Sequence, residues 1–270
     1  MFCASTTSIV SGVLTERIKL WPFLVYVIIL VVVIYPIQAS WKWGGGFLND
    51  MGFQDFTSST FVHSVSGWAA LTGAIFFSLR LGEYKGGKVN PMPGSNLALA
   101  TLGIFILWLS WFGFNSCSQL YMDTSGSVAD ISSIFSNTNT VAAAGAVAAL
   151  TLTPSLIQST MIGTVSGIIV VFAMPMLDRM KIDYVVDAIS VHLFAGIWGT
   201  LAVYFTNSAA TFSVQLTSTL IVGAFVTVTT AFVWLVLKAT AGLRVSEEVE
   251  IMSLGRNRLG MEAYPTFSGS

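Results

Sequence analysis

The chain has 270 residues, 54% hydrophobic and only 9% charged, with a net charge of −1 and a mean hydropathy of +0.77. A soluble protein carries about 25% charged residues, so a large water-soluble core is excluded, and the balanced charge leaves no electrostatic footprint for nucleic acid. Two cysteines and two histidines, all far apart, supply neither a disulfide framework nor a metal cluster; with no Gly-rich phosphate loop or nucleophile elbow, no cofactor and no enzyme chemistry are expected.

Asp, Glu, Lys and Arg are absent between Lys19 and Lys42, Asp55 and Arg80, Lys88 and Asp123, Asp130 and Asp178, and Asp187 and Lys238. A span takes about 20 apolar residues, and each window holds one or two. An all-α polytopic membrane protein is predicted. Its spans are 1–14 (the end of a helix, with no basic region of a signal peptide before it), 20–41, 59–79, 98–119, 137–153, 155–177, 185–205 and 213–239. This divides the chain into a transmembrane domain, 1–240, and a polar tail, 241–270.

Lys and Arg concentrate in cytoplasmic loops. Glu16-Arg17-Ile18-Lys19 is then inside, the loop with Trp43, Asp50 and Asp55 outside, the loop with Arg80, Lys85 and Lys88 inside, and the loop with Asp123 and Asp130 outside. Past that point the alternation fails, because Asp178-Arg179-Met180-Lys181 and the tail bases Arg244, Arg256 and Arg258 fall outside. The junction at Pro154 is also shorter than the two to eight residues that usually connect helices. One helix missing between about 150 and 156 restores the rule; the alternative is that one of the two flanking pieces does not cross.

His63 stands in FVHSVSGWAALTG, 61–73, and His192 in SVHLFAGIWGTLAV, 190–203. Both segments read Val-His, two residues, a small residue and glycine, which implies an internal repeat. Intramembrane ionisable residues are costly and mark a pathway by default; the alternative is a neutral imidazole held by a backbone carbonyl. Ser66-Gly67 and Ala195-Gly196 permit close helix approach. Counted with the missing span restored, the two histidine helices are expected to run in the same sense. Asp55 and Asp187 precede the histidines as supporting acids, and for Asp187 a helix N-cap is the simpler role.

The motifs TERIKL (15–20), WGGGFL (43–48), QDFTSSTFVH (54–63), WFGFN (111–115), VDAISVHLFAGIWG (186–199), GLRVSEE (242–248) and EAYP (262–265) resemble the ammonium transporters of the Amt/Mep/Rh group, the Amt branch in particular. The resemblance implies an ammonium-transporter fold with a pseudo-two-fold inverted repeat, here incomplete at the N-terminus and without the eighth helix. It implies a plasma-membrane homotrimer in contact with lipid, its C-terminus cytoplasmic. The family's two pore histidines fall on His63 and His192, its external ammonium recruitment site on Phe2, Trp43 and Ser118, its phenylalanine gate on Phe2 and Phe114, and its acid below the recruitment site on Asp55. On spacing alone Trp43 reads first as an interfacial anchor, and the resemblance moves it toward function. The implied activity is recruitment of the ammonium cation, deprotonation, and passage of ammonia past the histidines.

The chain departs from the pattern where two glycines before the first histidine are Ser58 and Ser59, and where the tail reads SLGRNRLG over 253–260. The latter bears on whether a regulatory signalling protein binds at the cytoplasmic face. Two alternative functions share the fold: an ammonium sensor, and a truncated, non-conducting subunit.

Overall fold

The computed structural model describes residues 2–85, 88–89, 96–143, 155–183 and 185–251. These residues are almost wholly helical. The elements are α1 (Phe2–Leu14), α2 (Leu20–Ser40), α3 (Ser59–Phe77), α4 (Leu97–Gln119), α5 (Ser125–Ala143), α6 (Leu156–Arg179), α7 (Ile189–Thr206), α8 (Phe212–Thr240) and α9 (Glu247–Ile251). Six of these, α2, α3, α4, α6, α7 and α8, are long and apolar enough to cross a membrane, and α1 is a shorter apolar helix. The protein is a multi-pass membrane protein.

Helix starts are written in side chains. Asn96 accepts a bond from the Leu99 amide at the head of α4, and Ser155 and Gln158 form a reciprocal capping box at α6. Thr124 and Ser127 do the same for α5. That pair corrects the expected outer loop at 120–136, because α5 begins at Ser125. Its Ser, Asn and Thr content dilutes the hydropathy, yet Ser127, Ile134, Asn137, Thr138 and Val141 form one buried stripe. The expected span 137–153 therefore starts inside α5, and its last part, 144–153, lies outside the described residues.

α3 is the most buried spanning helix and α4 the least. Around α3 pack α1, α7 and α8. Two contacts fix the crossing of α3 and α7. A Cβ on Gly67 would lie 2.5 Å from Leu193 Cα, and one on Gly196 would lie 2.9 Å from Ser59 O and 3.0 Å from Ser64 N. As α3 runs forward from 59 to 67, its contacts on α7 run back from 196 to 193, so the two helices are antiparallel. This corrects the expected common sense and fits an inverted repeat. Trp68 of α3 packs against Gly223 of α8, where a Cβ would meet its Nε1 at 2.6 Å.

The bundle has two differing ends. At one, Arg17 is fully buried and pairs with Asp183; it also donates to Ser78 O and Val13 O. Arg80 pairs with Asp183, Glu16 and Glu83. The first part of the tail docks here. Lys19 N–H donates to Leu243 O and Val245 N–H to Arg17 O, while Glu250 accepts from Leu81 N–H and Arg244. The altered tail stretch 253–260 lies outside the described residues. At the opposite end, Gln215 accepts from Gln54 N–H and donates to Gln54 O and Thr200 O.

Candidate functional site

α3 and α7 run in opposite senses, yet their first turns meet. His63 is the fifth residue of α3 and His192 the fourth of α7. Both helices therefore begin inside the protein rather than at its surface. Non-helical backbone at membrane depth is tolerated only where protein buries it and satisfies its polar groups. Asp55 does this for α3: its carboxylate accepts from the N–H groups of Ser59 (2.8 Å), Thr60 (3.0 Å) and Phe61 (2.9 Å). The chain reaches that geometry through Ser58, at φ +74°. Asp187 takes the matching place, at φ +54° five residues before its histidine, but among the described residues it makes no such bonds to α7.

Both helices open with a widened, π-type turn that contains the histidine, a feature common at functional sites. The His63 and His192 Nδ1 atoms are 2.9 Å apart. The rings are parallel within 5° with centroids 5.1 Å apart, so they meet edge to edge. A hydrogen bond between two Nδ1 atoms needs one protonated and one bare. In the neutral pair one ring then presents an Nε2 lone pair and the other an Nε2–H.

From this pair a line of rings runs outward. His63 and Phe114 have centroids 6.0 Å apart, Phe114 and Phe2 4.6 Å, and Phe2 and Trp43 5.5 Å. Phe2 and Phe114 meet edge to face, at 76°. Trp43 is exposed on its outer side; its Nε1 donates to Asp55 O at 3.3 Å, and its ring packs on Phe61. Ser118 follows Phe114 by one turn, and its hydroxyl is buried without a partner among the described residues. The structure thus joins Phe2, Trp43, Phe114, His63, His192 and Asp55 in one chain of contacts, and sets Ser118 one turn beyond Phe114. Asp187 stands apart from it. Among the described residues no group of three or more His, Cys, Asp or Glu could hold a metal ion.

Three residues near the site were not singled out from sequence: Tyr35, Gln38 and Thr60. Gln38 Nε2 donates to Phe61 O, and Thr60 bonds the Thr200 hydroxyl at 2.6 Å. The available signal was polar side chains inside otherwise apolar spans.

The model of the Ammonium Transporter Family matches residues 1–157 and 152–264. Ammonium transporter Amt2 of Archaeoglobus fulgidus is 35% identical over 327 residues, covering 99% of this chain and 69% of the relative. The ammonium transporter of Aquifex aeolicus is 33% identical, covering 97% and 69%. Among solved structures, a Sensor Amt Protein superposes with a TM-score of 0.89 at 28% identity, covering 95% of this chain and 74% of that one. The chain thus spans about 69% of the length of these two relatives. An alignment of 327 residues over a 270-residue chain also leaves several dozen positions of Amt2 with no counterpart here. The family match divides at 152–157, where the charge alternation of the loops breaks.

Proposed function

This chain belongs to the ammonium transporter family, and we propose that it passes ammonium nitrogen across the membrane along the Trp43–Phe2–Phe114–His63–His192 line. The uninterrupted contact from the exposed indole to the imidazole pair carries this reading.

At the outer end, a cation over an aromatic face gains about 0.5–2 kcal/mol, most where water is displaced. Phe2 and Trp43 offer such faces, and the unpartnered Ser118 hydroxyl can accept one N–H. Potassium has no N–H to donate, which favours ammonium. Deeper in, the lining is phenyl and imidazole. An unpaired ion there costs tens of kcal/mol by Born solvation, so deprotonation is the cheaper route and ammonia crosses between Phe2 and Phe114. The histidine pair supports separate proton movement: a proton taken at one Nε2 shifts across the Nδ1–Nδ1 bond, and the other Nε2 releases one.

We assign residues 1–240 to the transmembrane domain and 241–270 to a tail on the cytoplasmic side of the plasma membrane, in a homotrimer. The basic cluster at the tail end, Arg17, Arg80 and Arg244, supports that orientation.

The test is electrogenic uptake of methylammonium by proteoliposomes. Trp43→Ala with His192→Ala is expected to abolish it; unchanged uptake removes the pore assignment. A second reading, ammonium sensing, draws on the likeness to the Sensor Amt Protein. It predicts saturable ammonium binding with no current. Absence of both current and binding, with current restored on mixing with a full-length relative, marks a non-conducting subunit.

A further inference from the structure

We propose that the Tyr35 hydroxyl is a hydrogen-bonding station for the permeating nitrogen beside the Phe2–Phe114 ring pair. The inference rests on the transport pathway above and adds a residue to it.

Tyr35 lies in α2 and is only 7% exposed, and its hydroxyl has no partner among the described residues. It forms one packed cluster with Val62 and Phe114, against which Phe2, Cys3, Ile9 and Ala39 rest. The aliphatic and phenyl members have no side-chain hydrogen-bonding group, and the Cys3 thiol donates to Val31 O. A buried hydroxyl left unpaired is costly, so a small polar species on the pathway is its natural partner.

The local backbone is built to present it. Pro36 has no N–H, and its ring clashes with the carbonyl four residues back. The helix relieves this with a widened turn over Leu30–Ile34, closed by Tyr35 N–H on Leu30 O. Gln38, one turn on, ties the same face of α2 to Phe61 O. A phenol suits both forms of the substrate. Its oxygen accepts an N–H from ammonium, and its O–H donates to the ammonia lone pair.

The experiment places 3-fluorotyrosine at position 35 alone, in the full chain in lipid nanodiscs. Its fluorine resonance is followed against ammonium chloride and potassium chloride at equal ionic strength and fixed pH. The expected result is a saturable shift with ammonium and none with potassium, which collapses when position 35 carries 3-fluorophenylalanine, the same ring without the hydroxyl. No shift, an equal shift with potassium, or an equal shift without the hydroxyl overturns the inference. Methylammonium uptake, measured on the same preparation, judges the transport reading separately. A hydroxyl-dependent shift without uptake keeps the station and removes transport; uptake without the shift does the reverse.

Discussion

Asp55 and Ser58 show how single residues hold the site in place. The head of α3 is buried, so its free N–H groups cannot turn to water, and three of them converge on the Asp55 carboxylate. Each orphaned N–H costs about 1–3 kcal/mol. Asp55→Ala is therefore expected to cost several kcal/mol and abolish recoverable folded protein, with Asp55→Asn intermediate, as read by melting in detergent. Ser58 points the other way. It holds φ +74° with its hydroxyl buried and unpartnered. Ser58→Gly relieves left-handed strain of about 1–2 kcal/mol and removes the unpaired hydroxyl, against about 0.5–1 kcal/mol for the more flexible unfolded chain. The expected outcome is a melting temperature a few degrees higher with uptake retained. A lower one means that the hydroxyl has a structural partner.

At the scale of elements, the crossing of α3 and α7 decides whether the imidazoles meet. Each histidine is followed four residues later by the glycine that lets the other helix in, Gly67 against Leu193 and Gly196 against Ser59 and Ser64. Gly67→Ala puts a methyl 2.5 Å from Leu193 Cα, and backbone cannot swing aside as a side-chain tip can. The helices must part, and a 2.9 Å contact does not survive a parting of even about 0.5 Å within the range of a good hydrogen bond. Gly67→Ala is expected to abolish uptake in protein that still runs as one peak on gel filtration. Gly103→Ala, where a Cβ meets nothing within 4 Å, is expected to have no effect. Much of this was legible in sequence, because an imidazole in an apolar run and a glycine one turn later are both conspicuous against their neighbours. The antiparallel sense was legible too, in the loop charges rather than the periodicity. α3 starts from the outer loop, and restoring the missing span puts Asp178-Arg179-Met180-Lys181, just before α7, inside, so the expected common sense was a miscount of one span. The start of α5 escaped because Ser, Asn and Thr lower the hydropathy of a helix whose buried stripe is partly polar. Tyr35 escaped because an aromatic in a span reads as core until its hydroxyl is seen to lack a partner.

At the scale of the molecule, one charged cluster binds the tail end together. Arg17 after α1, Arg80 after α3 and Asp183 before α7 meet there, and Arg244 and Glu250 bring the tail against Phe77 O and Leu81 N–H. Glu83 sits at its edge with Arg80 on one side and Asp183 on the other. Burial raises its carboxyl, as do the hydrogen bond to Asp183 and that group's negative charge; Arg80 and Arg17 pull it down less, and it stands at about 8 against the usual 4.5. Asp183 is buried too, but the hydrogen bond from Glu83 and the charges of Arg17 and Arg80 outweigh that and hold it low. A carboxyl raised on folding binds its proton more tightly in the folded chain than in the unfolded one. Its contribution to stability is therefore complete below 4.5 and is lost as pH climbs through about 8. Glu83→Gln keeps a donor toward Asp183 at every pH. The melting temperature of the wild type in detergent is expected to fall relative to that of Glu83→Gln as pH rises across this window. The difference between the two curves isolates Glu83 from the other titrating groups. Parallel curves, or a wild type that gains on the variant as pH rises, would mean that Glu83 is ionised against Arg80 throughout, with the cluster held by charge alone.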